Sequence, residues 1–488
     1  MDSLVAAPTF TRVWAEVFPE LSIPITPVTA PSPRLLALND ELAEELGWDA
    51  AELRTDEGTR LLTGAAPSGR EPVAQVYAGH QWGVFQPILG DGRAALLGER
   101  VDAAGRLRDV HLKGIGPTPL SRVDGYATVG PMLREYLFGE AMHALGVPTT
   151  RALAVVATGA PRTLGGVTLP GAVLARTAAG HARFGTFEYA RARGDVGLLR
   201  RLADHLIARH YPEAADARHP RLALLDAIVD ASAALVAQWM RVGFVHGVLS
   251  TDNVLVGAET IDYGPCAFLD AYEPGAWFSS IDRDGRYAYE RQPAIVRWNL
   301  ERLAEAFAPL LADDPGLAAE LGTVSVAAFD ERYAAHRGFA FRAKLGVDER
   351  ATDAEVAALA DAALDLLSGH GVDFTGFWRD LAAAADGDER AVRGRFLGRV
   401  HGLDDWLERW TALAPDAAAI RAANPVYIPR NHLVEEALAA AVDGDLAPFE
   451  LLLGILRDPY NERTDPALRR YAQPAPGGSA RHVTYCGT

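Results

Sequence analysis

A chain of 488 residues, 49% hydrophobic and 23% charged, has the length to bury several cores and the composition of a folded protein, which excludes intrinsic disorder. Its formal charge of −17 at pH 7 repels polyanions at long range, so broad adhesion to nucleic acid or anionic lipid is excluded and only a local basic pocket for a small anion remains. Cys266 and Cys486 are the only cysteines, too few for a disulfide framework and without metal-ligand spacing; with no leader-like start and no apolar run approaching a membrane span, a cytoplasmic monomer that enters no membrane is expected.

Residues 1–70 mix Pro-rich loops with one expected amphipathic helix, LLALNDELAEELG, ended by its glycine, and read as an extension packed on the body. From Val73 the pattern turns to short β-like runs punctuated by glycine: VAQVYAG, GVFQPILGDGRAALLGER and RLRDVHLKGIG. A helix follows in VGPMLREYLFGEAMHALG, with Pro131 in its first turn and Gly146 past its end, and then two more β-like runs, RALAVVAT and VTLPGAVLART. The order β-β-helix-β-β over residues 71–190 describes a small antiparallel sheet carrying one helix. Residues 191–465 are mainly helical, with the long apolar helix LALLDAIVDASAALVAQWMRVG leading to an expected strand-loop-strand at FVHGVLSTDNVLVGAETIDYG. The tail, 466–488, is rich in Pro and Gly and expected to be partly mobile. The fold class is α+β.

The most specific chemical signal is the segment HGVLSTDNVLV followed by TIDYGP. The amide oxygen of Asn253 and the carboxylate of Asp262, on neighbouring turns, suit a hard divalent cation whose remaining ligands are phosphate oxygens and water. Protein kinases hold their metal ions in this way. Against the kinase pattern His-Arg-Asp-Leu-x-x-x-Asn, this chain has His246, Gly247, Val248 and Leu249, then Asn253, so the usual base is replaced by Val248, which accepts no proton. Asp252 is the nearest substitute. The bland alternative is an Asx hairpin turn.

Lysine occurs only at Lys113 and Lys344 in a chain otherwise supplied with arginine, so Lys113 invites a reason that arginine cannot serve. In DVHLKG, alternation puts Val110 and Leu112 on one face and His111 and Lys113 on the other. A compact ammonium there would reach phosphate while pairing with a helix carboxylate, for which Glu135 is first choice and Glu140 second. The turn Gly90, Asp91, Gly92, Arg93 allows close backbone approach to an anion, and Arg176, His181 and Arg183 form a second basic group. A plain hairpin and plain surface charge are the alternatives.

Taken together, YAGHQWGVFQPILGDGRAALLGE, HLKGIGPTPLSRVDGYATVGPMLREYLFGEAM, ARFGTFE, FVHGVLSTDNV, IDYGPCAFLDAY and the terminal YCGT resemble the selenoprotein O family, the YdiU proteins of bacteria. The resemblance implies a two-lobed, protein-kinase-like fold. It also implies ATP bound in reversed orientation, so that AMP, with UMP from UTP as a variant, passes to Ser, Thr or Tyr hydroxyls of protein substrates. By motif, Gly90, Gly92, Arg93, Lys113, Asp124, Gly125, Arg176, Arg183 and Asp262 would contact the nucleotide. Asn253 and Asp262 would hold Mg2+ or Mn2+, Asp252 would be the base, and Glu135 would support Lys113. An ordinary kinase and a nucleotide-binding pseudokinase without transfer activity are the competing readings. The resemblance also implies pairing of a terminal cysteine with one after the DYG turn; this chain has none between Pro274 and Tyr287, so two free thiols at Cys266 and Cys486 are the first reading and a disulfide between them the alternative.

Overall fold

The structure is a computed structural model that describes residues 10–65, 71–164, 166–476 and 482–484. Seven strands make its main sheet: β1 (Ser22–Pro24), β2 (Arg34–Leu38), β3 (Val73–Gln75), β4 (Ala94–Val101), β5 (Leu107–Lys113), β6 (Arg151–Leu164) and β7 (Val167–Ala178). They lie in the order β1-β3-β4-β5-β7-β6-β2, and every neighbouring pair is antiparallel. The α+β class therefore holds, with a larger sheet than the sequence suggested. The two edge strands come from the N-terminal segment.

That segment also corrects one expectation. LLALNDELAEELG is not a single helix: its first half is β2, and the helix Asp40–Glu45 starts at Asn39, whose side chain accepts from the Leu42 amide at 3.3 Å. A short apolar run reads equally as strand or helix, and here pairing with β6 decides it. Leu42, Leu46, Trp48, Leu53 and Leu62 then cover one face of the sheet, packing with Leu97, Val110, Leu112 and Val156. On the opposite face lies the helix Val129–Ala144, buried on nearly every side, with Met132, Leu133, Tyr136 and Leu137 in the largest core.

After β7 the chain is mainly helical. The helix Pro220–Val242 ends at Gly243 in the left-handed conformation (φ 77°). It is long and apolar enough to cross a membrane by length and mean hydropathy, 1.5, although Asp226 and Asp230 interrupt it. Leu224, Leu225, Ile228, Val229 and Val236 on it are buried in the main core. The expected strand-loop-strand closes differently from a hairpin. Phe244–Val245 pairs with Ala267–Phe268, beyond the DYG turn, while Leu255 bridges to Arg183. In the tail, Pro466–Ala472 forms a short 3-10 helix, and Thr484 lies parallel to Ser279, its amide donating to the Phe278 carbonyl at 2.8 Å. Residues 477–481 and 485–488, and with them Cys486, fall outside the described residues.

Candidate active site

Strand register brings the first cations together. Arg176 lies directly across from His111, and Lys113 is two residues along the same strand, so all three side chains share one face of the sheet. Pairing of 182–184 with 254–256 sets Arg183 beside the turn Thr251–Asn253; the Phe184 amide donates to the Val254 carbonyl at 3.0 Å and the Val256 amide to the Ala182 carbonyl at 2.9 Å. His246 supports the other wall. Its Nε2–H donates to the Ile261 carbonyl at 2.9 Å, next to Asp262, and burial pushes the ring down to about 4, so it is neutral at physiological pH.

Around Asp262 the geometry is dense. Oδ1 accepts from Lys113 Nζ at 2.9 Å and Arg176 Nη1 at 2.8 Å, while Oδ2 accepts from Arg183 Nη1 at 2.9 Å. Lys113 also pairs with Glu135 Oε1, and Arg176 Nη1 reaches Glu135 Oε2 at 3.5 Å. Burial alone would raise the Asp262 carboxyl, but Lys113, Arg176 and Arg183 hold it well below the usual range. Asp262 itself adopts φ 63°, a left-handed conformation that Asp tolerates better than most side chains. Arg183 continues to the Asp252 carbonyl and, at 3.4 Å, to Asn253 Oδ1.

These side chains line one cleft of about 280 Å³ together with Gly90, Asp91, Gly92, Arg93, Val248 and Asp252. Gly90 (φ 129°) lets the turn close in, since a Cβ there would lie 2.6 Å from the Gln75 carbonyl. Asp91 turns inward, accepting from the Gln75 amide at 3.0 Å and standing 3.0 Å from His111 Nε2. Three roomier clefts, about 710, 790 and 490 Å³, lie among the helices, but none holds a residue of this constellation. Size does not identify the site; convergence of charge does.

Not every expected residue reaches the cleft wall. Asp124 is exposed and accepts from the Tyr126 amide at 3.1 Å; Gly125 packs against Pro117, and Arg122 and Val123 of the same loop line the cleft instead. Glu140 pairs with Arg151 at 2.9 Å and not with Lys113. His181 stacks on His111 with ring centroids 4.4 Å apart and bonds Asp109, behind the cleft. Cys266 is buried, its thiol donating to the Tyr263 carbonyl at 3.2 Å, and burial pushes it up to about 12. Sequence reasoning overlooked Tyr77, whose ring lies 4.8 Å under the Arg183 guanidinium, and Gln81, which donates to Asp252 Oδ2 at 2.8 Å. Both stand within YAGHQWG, whose clustered aromatic and polar side chains are the signal in the sequence.

Among the described residues no group of three or more His, Cys, Asp or Glu could hold a metal ion. Asn253 and Asp262 offer hard oxygen donors suited to a divalent cation that draws its other ligands from phosphate and water. Comparison with known proteins meets this geometry from the other direction. The family described as protein adenylyltransferase SelO matches residues 7–457. The chain belongs to the SelO family. It is 55% identical over 477 residues to the protein nucleotidyltransferase YdiU of Mycobacterium sp. (strain KMS), covering 97% of this chain and 98% of that one. The SelO-family proteins of the same description from Mycolicibacterium paratuberculosis (strain ATCC BAA-968 / K-10) and Cereibacter sphaeroides (strain ATCC 17023) are 56% identical over 476 residues and 54% identical over 470, each covering 95–96% of this chain and 96% of its own.

Proposed function

We propose that this SelO-family chain transfers AMP from ATP to Ser, Thr or Tyr hydroxyls of cytoplasmic proteins. In this reading, residues 71–190 and 191–465 act as the two lobes of a kinase-like fold with the nucleotide between them. The observation that carries it is the meeting of Lys113, Arg176 and Arg183 on Asp262, with Asp252 and Asn253 at the same cleft. Lys113, Arg176 and Arg183, joined on the cleft wall by Arg93 and Arg122, outnumber the carboxylates of Asp91, Glu135, Asp252 and Asp262 there and leave positive charge for a polyphosphate. Gly90, Gly92 and Arg93 line the same wall, and Asp124 and Gly125 would be reached by an adjustment of the loop that carries Arg122.

With the terminal phosphates held by Lys113, Arg176 and Arg183, the α-phosphorus faces the acceptor. The acceptor oxygen attacks it, the bond to the α–β bridging oxygen breaks, pyrophosphate leaves, and the hydroxyl proton passes to Asp252. A Mg2+ or Mn2+ ion held by Asn253 and Asp262 would neutralise phosphate charge. Val248, lining the cleft where a kinase carries its base, counts against γ-phosphoryl transfer.

Incubation of lysate with α-labelled ATP is expected to label protein, and Asp262→Ala to abolish the label. Label from γ-labelled ATP would instead establish a kinase. Nucleotide-induced thermal stabilisation with neither label would establish a silent binder, and a stronger signal from α-labelled UTP would establish UMP as the transferred group.

A further inference from the structure

We propose that Gln81 is a positioning residue for Asp252, its amide holding the carboxylate in the orientation that receives the acceptor's proton. The inference rests on the reading of Asp252 as base. Gln81 belongs to a two-stranded hairpin, Gly79–Gln81 with Val84–Gln86, that sits directly on the turn Thr251–Asn253. Gly79 permits this seat: a Cβ there would lie 2.8 Å from Asp252 Cβ. The hairpin is then pinned one residue to the side. The His80 amide donates to Thr251 Oγ1 at 2.7 Å, Thr251 Oγ1 donates to Glu188 Oε2 at 2.8 Å, and Glu188 Oε1 is 2.8 Å from His80 Nδ1.

On this fixed base the amide has one workable orientation. Arg122 Nη1, a donor only, donates to Gln81 Oε1 at 3.1 Å, so Nε2 is left to donate to Asp252 Oδ2 at 2.8 Å. Asp252 Oδ1 is buried near Gly79 with no hydrogen-bond partner. One lone pair of Oδ2 is therefore engaged by Gln81, and its second remains for the acceptor hydroxyl. Among the common side chains of this length, an amide alone satisfies both neighbours: glutamate would accept from Arg122 but give nothing to Asp252, and lysine the reverse. Gln81 thus ties the base to Arg122 on the loop across the cleft mouth, and locks the carboxylate before substrate arrives.

The experiment measures AMP transfer and ATP binding in the full chain. Gln81→Met keeps the length without polar atoms and is expected to lower kcat about 10- to 100-fold, with KM for ATP and ATP-induced thermal stabilisation unchanged. Gln81→Glu, which restores the acceptor for Arg122 but opposes two carboxylates, is expected to fall at least as far in kcat alone. Wild-type kcat in either variant, or loss of ATP stabilisation in step with rate, overturns the proposal. Asp252→Asn, assayed beside them, separates the two ideas. Transfer persisting in Asp252→Asn sinks the base reading itself, whereas an inactive Asp252→Asn beside a fully active Gln81→Met sinks only the positioning role.

Discussion

Asp262 stands among Lys113, Arg176 and Arg183 as a phosphate would, a single carboxylate receiving three cationic donors. In the proposed reading nucleotide entry would exchange these contacts for phosphate oxygens, so Asp262 would compete with the ligand until a divalent ion takes it up. Asp262→Ala is therefore expected to bind ATP more tightly than wild type in excess chelator, measured by calorimetry, while transferring nothing when Mg2+ is restored. Equal or weaker metal-free binding would contradict this exchange. Lys113 is equally constrained. Its ammonium fits between Glu135 and Asp262 with 8% of the residue exposed, where the wider, planar guanidinium of arginine would displace one carboxylate. Lys113→Arg should lower kcat/KM about 10-fold or more even though charge is kept.

The N-terminal segment shows what a single element contributes. Its first helix, Val13–Val17, is capped from a distance by Glu99 on β4, whose carboxylate accepts from the Val13 and Trp14 amides at 3.0 and 2.7 Å. Phe18, fully buried, and Trp14 join the main core there. Phe18→Ala should cost roughly 3–5 kcal/mol in urea unfolding, the range for emptying a buried aromatic site. This part was poorly legible from sequence, because Pro-rich stretches hide edge strands and three-residue strands carry no periodicity. The helix Val129–Ala144, with proline at its start and glycine after its end, was legible throughout, as was the alternation in β5 that sets Lys113 opposite Val110 and Leu112. Asn253 and Asp262 stood out by residue type and spacing, and both line one cleft. The role proposed for Gln81 depends on a contact across 171 positions of chain, which no local pattern encodes.

Across the whole molecule, burial pushes His181 down to about 3 and His205, His210 and His246 to about 4. In the unfolded chain each returns to about 6.5, so below that pH the unfolded state takes up protons the folded state refuses, and stability falls on acidification. Glu99 and Glu259, which burial raises to about 7, act in the opposite sense, losing their contribution as pH rises through 7. The four histidines outnumber them, and Tm should drop between about pH 6.5 and 4.5, with a shallower slope in His181→Gln. Arg430 joins distant parts of the chain: fully buried, it donates to Asp270 at 2.8 Å and to Asp373 at 2.6 and 3.0 Å. Arg430→Met strips Asp270 of this partner and leaves Asp373 only its longer 3.4 Å pairing with Arg395, and should destabilise by about 3–5 kcal/mol in denaturant titration.

The docking of Thr484 carries a practical consequence. Its hydroxyl donates to the Pro265 carbonyl at 2.7 Å, and Pro265 lines the cleft proposed to take the nucleotide. A bulky group attached beside Thr484 would be tethered at that rim, close enough to obstruct the opening. Purification tags and reporter domains therefore belong elsewhere on the chain.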